Sequence, residues 1–397
     1  MNILYYCDEY PPARNGGIGT VVKLVAEAMT YRGHNVIVAG KYWGGKRKET
    51  IEKINGVTVI RWHSGNYNTI RIRLSNLIRS RWAKRWKAQL ILNQTHYLLN
   101  KVVHKNAIDL VEFPDYVDDF LHWNNLNMPK WENGVPLLIR IHGSVSFLLN
   151  HLEGTPAEAK IKQDSQFMAQ ADGICAVSNF SKEYVTKYLC PPKPVDVIYN
   201  PIEECWFHNI HNSPASQTIL FFGKIAEMKG AFSLIKAFNL VAEKYPHIKL
   251  KLIGSGDIES ARKLVSHEFT NRVEFTGHIP QHHIIEEIDN ALFCVLPSYF
   301  ENFSMAALEV LARHKTLVYT TRTSGHELID DGVTGLLVDP NNINQLVDKK
   351  ELLISDETLR ERLAHNGYKM CKERFSTDVI IPQMEQYYTK LIARCKK

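Results

Sequence analysis

Glu301 and Glu309 are two carboxylates eight positions apart, and Glu309 sits inside an apolar run, Met305 to Ala312. A strand-like stretch, Ala291 to Leu296, precedes them and is closed by Pro297-Ser298. This order predicts strand, loop and helix, with Asn302 or Ser304 capping the helix start. The helix is apolar nearly all round and is expected to be buried. A carboxylate in such a helix is costly unless a partner meets it. Two partners would serve. The vicinal hydroxyls of a ribose can donate to both carboxylate oxygens, or a structural Arg or Lys can neutralise the charge. Eight residues are roughly two turns, so Glu301 falls on much the same side. It is either part of the same site or a solvated loop residue.

Other residues have chemistry to offer. Gly16-Gly17-Ile18-Gly19 lies between the first strand and the first helix. Glycines there let backbone N–H groups approach a phosphate at a helix start; a ligand-free tight turn is the plainer reading. Lys224 and Lys229 flank the first loop of the second half. They either hold and stabilise a diphosphate or belong to a solvated basic loop. His142 ends a buried strand. It either contacts a sugar hydroxyl or the reacting centre, or is a structural histidine. Glu112, Asp115, Asp118 and Asp119 follow another strand end. They bind acceptor hydroxyls or cap a loop. No Asp-x-Asp occurs, so the usual carboxylate pair for a divalent cation on a nucleotide diphosphate is missing. No metal or other cofactor is expected.

The elements that must position these groups alternate. Strand candidates in the first half are 3–6, 35–39, 57–61, 110–113, 137–141, 173–177 and 195–198, with helical patterns between most of them. The second half restarts the rhythm with strands at 218–222, 248–253, 273–275, 292–296 and 316–319. The expected architecture is two doubly wound α/β domains in tandem. Residues 1–205 form the first domain, 206–217 the linker and 218–376 the second domain, with a terminal helix at 377–397. A dehydrogenase fingerprint is absent, because the first loop is too long and Gly40-Lys41, not an acid, follows the second strand.

Composition narrows the class. A chain of 397 residues with 45% hydrophobic content is long enough for two cores. Seven cysteines without a Cys-x-x-Cys pair fit a reducing cytoplasm rather than a disulfide framework or zinc site. Met1 to Asp8 does not read as a signal peptide, and no run is apolar enough to span a bilayer. The net charge of +6 is uneven: Lys41 to Lys105 holds 15 basic and 2 acidic residues. Within it Arg71, Arg73, Arg79, Arg81, Lys84, Arg85 and Lys87 accompany Trp82 and Trp86 with no acid between. Attachment to an anionic membrane surface and a plain solvated helix both fit. Nucleic acid is the weaker partner, because the excess is one local insertion.

In order and spacing these pieces resemble the retaining, GT-B-fold glycosyltransferases of the family 4 type. The resemblance rests on Glu9-Tyr10-Pro11-Pro12 with Gly16-Gly17-Ile18-Gly19, Gly33-His34-Asn35-Val36, Ile141-His142-Gly143, Ala176 to Ser181 and Ile198-Tyr199-Asn200-Pro201. It continues through Phe222-Gly223-Lys224 with Lys229-Gly230, Leu252 to Asp257, Phe275-Thr276-Gly277, Pro297-Ser298, Glu301 with Glu309, and Gly332 to Val338. It implies two Rossmann-like domains facing across a cleft and a nucleoside-diphosphate sugar, UDP-linked, as donor. The acceptor would be a hydroxyl of a glycan or lipid-linked acceptor in envelope or capsule polysaccharide assembly.

By the same resemblance Glu309 holds the ribose, while Glu301 and the backbone of Asn302, Phe303 and Ser304 address the sugar and phosphates. Lys224 and Lys229 meet the diphosphate and Gly17 approaches it. Ile279 lies by the base, His142 lies by the transferred bond, and the last helix returns to the first domain. One departure is that the family commonly has Arg where Lys224 stands, which removes a planar bidentate grip. A sugar-nucleotide epimerase of similar fold and a catalytically silent nucleotide-sugar binder are the competing functions.

Overall fold

The computed structural model describes residues 1–12, 16–42, 49–63, 81–116, 131, 134–144, 146–149, 158–210 and 216–396. It divides into two compact units, Met1–Pro201 with Ile380–Lys397, and Ile202–Val379.

The first unit is built on an eight-stranded sheet. Its strands are β1 (Asn2–Tyr6), β2 (Asn35–Tyr42), β3 (Thr50–Ile54), β4 (Val57–His63), β5 (Leu110–Pro114), β6 (Leu137–Ile141), β7 (Gly173–Ala176) and β8 (Val195–Val197). The spatial order is β3-β4-β2-β1-β5-β6-β7-β8. All neighbours are parallel except β3, which pairs antiparallel with β4. The central strands β5, β6 and β7 are buried at every residue, as a parallel sheet covered on both faces requires. β3 is the exception, with a partly exposed edge sequence, Thr-Ile-Glu-Lys-Ile. Its short, polar pattern gives no strand signal of its own.

The second unit carries a six-stranded, wholly parallel sheet in the order β11-β10-β9-β12-β13-β14. The strands are β9 (Thr218–Phe222), β10 (Lys249–Ile253), β11 (Val273–Gly277), β12 (Phe293–Leu296), β13 (Leu317–Thr320) and β14 (Leu336–Val338).

Each sheet reverses its direction of winding once. In the first unit this happens between β1 and β5, and in the second between β9 and β12. Ligands in open α/β sheets bind outside the carboxyl ends of strands at such a point. The loops after β1, β5, β9 and β12 carry Gly16, Asp115, Lys224 and Glu301, respectively.

The chain passes into the second unit after Pro201, not after Cys205. Trp206 and Phe207, expected in a linker, are buried. Arg313 donates to the carbonyls of Trp206, His208 and Asn209, and Phe207 packs edge-on to Tyr368. Residues with so many fixed partners are part of a core, so the start of the expected linker at 206–217 is corrected, while 211–215 lie outside the described residues. Polarity and missing periodicity hid this, because the anchoring partner lies about a hundred residues away in sequence.

The last helix, Thr377–Cys395, contains Pro382 in its second turn. From Ile380 it belongs to the first unit. Its buried face is Ile380, Ile381, Met384, Tyr388, Leu391 and Ile392. Gly173 lies so close to that face that a Cβ there would come within 2.8 Å of Leu391 Cδ2. Glu385 is paired with Arg32 and hydrogen-bonded to His34, both from the end of the first helix.

Candidate active site

In the second unit the loops after β9 and β12 touch through their backbones. Gly230 takes φ +73°, and a Cβ on it would sit 1.9 Å from the Pro297 carbonyl oxygen. Tyr299 N donates to Met228 O at 2.9 Å. This contact brings Lys229 to Glu301, and the two form an ion pair. Lys224, on the same loop, is exposed and has no carboxylate partner among the described residues.

The helix Met305–Ala312 is capped by Ser304, whose side chain accepts from Ala307 N at 3.2 Å. The helix is not buried all round. Met305, Ala306 and Glu309 are partly exposed, while Ala307, Leu308, Val310, Leu311 and Ala312 are buried. The open stripe is one face, at i, i+1 and i+4. Phe303, expected to help hold a ligand, turns its side chain inward against Phe375, with ring centroids 5.5 Å apart. Only its backbone remains to face a ligand. Asn302 and Ser304 are likewise buried.

Glu309 meets no cation among the described residues. The cation one turn further on, Arg313, is fully committed elsewhere: it pairs with Asp289 in a buried fork and donates to three carbonyls. Burial pushes the Glu309 carboxyl up to about 7, against a hydrogen bond with the Gln281 side chain, while the Glu203 charge pushes it further up. Gln281 begins the helix Gln281–Asp289, two residues after the partly buried Ile279. Gln281 and Glu203 did not stand out in the sequence. Nothing local marks a polar residue whose partner is 28 positions away in one case and 106 in the other.

In the first unit the helix Gly17–Tyr31 starts at Gly16. Cβ atoms on Gly16 and Gly19 would collide with Glu9, at 2.3 Å from its Oε2 and its carbonyl oxygen respectively. Gly19 N donates to Glu9 Oε2 at 3.2 Å. Packing on Glu9 therefore accounts for these two glycines. Gly17 is exposed, with nothing within 4 Å of where a Cβ would stand. The fold of the described residues does not require glycine there, whereas close approach of a ligand would.

His142 follows β6, and its turn is held by Asp115. Asp115 Oδ1 accepts from His142 N at 2.7 Å, and Asp115 also accepts from Gly143 N. Burial, then the charge of Arg140, lowers the His142 pKa to about 3, so the imidazole is neutral at pH 7. Asp115 is itself buried, and burial raises its pKa to about 7 despite those backbone bonds.

Two expected acceptor contacts are thereby corrected. Asp115 is occupied with the His142 turn. Glu112 is fully enclosed, accepts from Tyr388 Oη at 2.5 Å and lies in the field of buried Arg140. Both are internal supports: both oxygens of Asp115 accept from backbone N–H groups, and Glu112 is buried against Tyr388 and Arg140.

Of the basic segment, Arg71, Arg73 and Arg79 lie outside the described residues. Arg81, Trp82, Lys84, Arg85, Trp86 and Lys87 open the helix Arg81–Lys105, but their side chains also lie outside what is described. No helix among the described residues is long and apolar enough to cross a membrane.

Two family profiles divide the chain much as the structure does. Glycosyltransferase Family 4 matches residues 15–204, and Glycosyl transferases group 1 matches residues 206–370. The chain belongs to the family 4 type of GT-B glycosyltransferases. This glycosyltransferase is 27% identical over 196 residues to the capsular polysaccharide biosynthesis glycosyltransferase CapM of Staphylococcus aureus. That match spans 49% of this chain and 50% of CapM, about half the length of each. In fold it is similar to sucrose-phosphate synthase from Thermosynechococcus elongatus, with a TM-score of 0.79 at 20% identity, covering 99% of this chain and 100% of that one. It is also similar to Anabaena HepE, solved in complex with UDP, with a TM-score of 0.72 at 16% identity over 98% and 100% of the two chains.

Proposed function

We propose that this glycosyltransferase is a retaining hexosyltransferase. It would move a hexose from a UDP-linked donor to a hydroxyl of a glycan or lipid-linked acceptor in envelope or capsule polysaccharide assembly, without a metal ion. The observation that carries the reading is Glu309, a carboxylate on the open stripe of its helix that no cation among the described residues neutralises. Ribose hydroxyls are suited to it, because they donate to both oxygens without introducing charge. The capsular polysaccharide role of CapM supports the acceptor class. The UDP in the HepE complex makes UDP the first nucleotide to test.

In this reading Lys224 and Lys229 meet the diphosphate and stabilise it as it leaves. The N–H groups at the start of the helix Met305–Ala312 add to that field. Glu301 addresses the donor sugar, and Ile279 lies by the base. Departure and attack occur on the same face of an oxocarbenium-like centre. A covalent glycosyl-enzyme is disfavoured, because no carboxylate among the described residues stands out as a nucleophile. Neutral His142 offers a hydrogen bond rather than a charge to a sugar hydroxyl.

The test is calorimetric titration with UDP, ADP and GDP, followed by a panel of UDP-sugars with EDTA present throughout. Selective UDP binding and anomer-retaining transfer from one panel member, undiminished by EDTA, support the reading. Absence of UDP binding overturns it.

A further inference from the structure

β13 lies beside β12 with Tyr319 paired to Leu296, and so ends next to the loop that carries Glu301. Tyr319 is fully buried. Its Oη lies beside the Ser304 hydroxyl, which already accepts from Ala307 N. It completes no hydrogen bond of ordinary geometry among the described residues. Buried hydroxyls almost always have a partner, so one left over calls for an explanation. Burial, and then the negative charge of Glu301, hold the phenol far above its usual range, so it remains an O–H donor at any working pH. The anion whose field acts on that phenol is the Glu301 carboxylate, now taken by Lys229.

We infer that Tyr319 is a positioning residue for Glu301: when a nucleotide diphosphate draws Lys229 to itself, the Tyr319 hydroxyl replaces the ammonium and holds the carboxylate toward the donor sugar. This rests on the proposed donor site and deepens it. It explains why a buried phenol keeps an oxygen that the resting structure does not use. It also assigns the sugar part of donor recognition to a residue that touches neither sugar nor phosphate. The exchange is chemically balanced. Lys229 trades one anion for another, and Glu301 trades a charged donor for a neutral one, so no proton is transferred.

The test uses Tyr319→Phe, which removes only the oxygen, and Glu301→Gln as a second background. Dissociation constants are measured by calorimetry for UDP and for whichever of UDP-glucose, UDP-galactose and UDP-N-acetylglucosamine the wild type binds most tightly. Melting temperatures are recorded alongside. The expected result is binding of both UDP and the UDP-sugar weakened by about tenfold, on the scale of one charge-assisted hydrogen bond, because either diphosphate draws Lys229 away, and a melting temperature at or above wild type. In the Glu301→Gln background the Phe substitution should add nothing, as coupling through one carboxylate demands. Unchanged constants for UDP and the UDP-sugar, or full additivity with Glu301→Gln, overturn the assignment while the donor site stands. Failure of the wild type to bind UDP removes the donor site, and this role with it.

Discussion

Arg313 stands one turn beyond Glu309 on the same helix segment, yet it pairs with Asp289 and leaves Glu309 without a cation among the described residues. An i, i+4 carboxylate and guanidinium are placed to neutralise each other on a helix. Here the guanidinium is turned to Asp289 and to the carbonyls of Trp206, His208 and Asn209, so it ties the entry of the second unit to its core. Among the described residues Glu309 keeps a neutral partner, Gln281. The same choice of partners stabilises the unit and leaves an acceptor on the open face.

Glu309→Ala should therefore weaken UDP binding roughly 100-fold, in line with charge-assisted hydrogen bonds worth about 1.5–3 kcal/mol. Circular dichroism should show the fold intact. Unaltered affinity would remove Glu309 from the site.

The raised pKa of Glu309 gives two pH effects of opposite use. Its folded value, about 7, lies above the ordinary 4.5. Its contribution to stability is thus fully present below the ordinary value and is lost as pH rises through about 7. Glu309→Gln should stabilise the ligand-free protein more at pH 8 than at pH 5, as melting curves at the two pH values would show. Binding runs the other way, because only the ionised group accepts from both hydroxyls. UDP-glucose affinity should fall as pH drops below about 7 in the wild type, and stay flat over that range in Glu309→Gln. A wild-type profile as flat as the variant's would count against the ribose contact.

Lys224 is exposed and free of any carboxylate among the described residues, so its charge is available to a phosphate. Lys224→Ala should weaken UDP by about tenfold, the scale of one charged hydrogen bond. Lys224→Arg should tighten it roughly two- to fivefold, because a planar fork can hold two phosphate oxygens at once. Titrations of both variants decide it, and an Arg variant weaker than wild type would mean that the loop has no room for the fork.

Tyr388 joins the last helix to the first unit through Glu112 and lies 3.3 Å from Tyr5 Oη. Removing its oxygen leaves a buried carboxylate with one donor fewer. Tyr388→Phe should cost about 2 kcal/mol of stability and lower the melting temperature by about 4–8 °C. UDP affinity, a property of the other unit in this reading, should not move. Loss of UDP binding without loss of stability would contradict the internal role given to Glu112.

The excess charge between Lys41 and Lys105 motivates a last prediction. Reversing Arg71, Arg73, Arg79 and Arg81 to Glu should abolish sedimentation with phosphatidylserine vesicles at low salt, since each basic residue near such a surface contributes about 1 kcal/mol. Sedimentation equal to wild type would end the membrane proposal.

The sequence by itself determined the alternation of strands and helices. Buried parallel strands are apolar runs closed by glycine or proline, as in residues 219–222 before Gly223 and Phe293–Leu296 before Pro297, and that signal is local. It also marked Glu309, because a carboxylate in an apolar helix is anomalous wherever it stands. The tertiary structure alone decided what each polar group meets. It sent Phe303 and Glu112 inward, gave Asp115 to the His142 turn, paired β3 antiparallel at an edge, and drew the segment after Pro201 into the second unit. The physical reason is that apolar burial is written in the spacing of neighbouring residues. Hydrogen bonds and ion pairs join groups such as Asp289 and Arg313, or Glu112 and Tyr388, that only folding brings within reach.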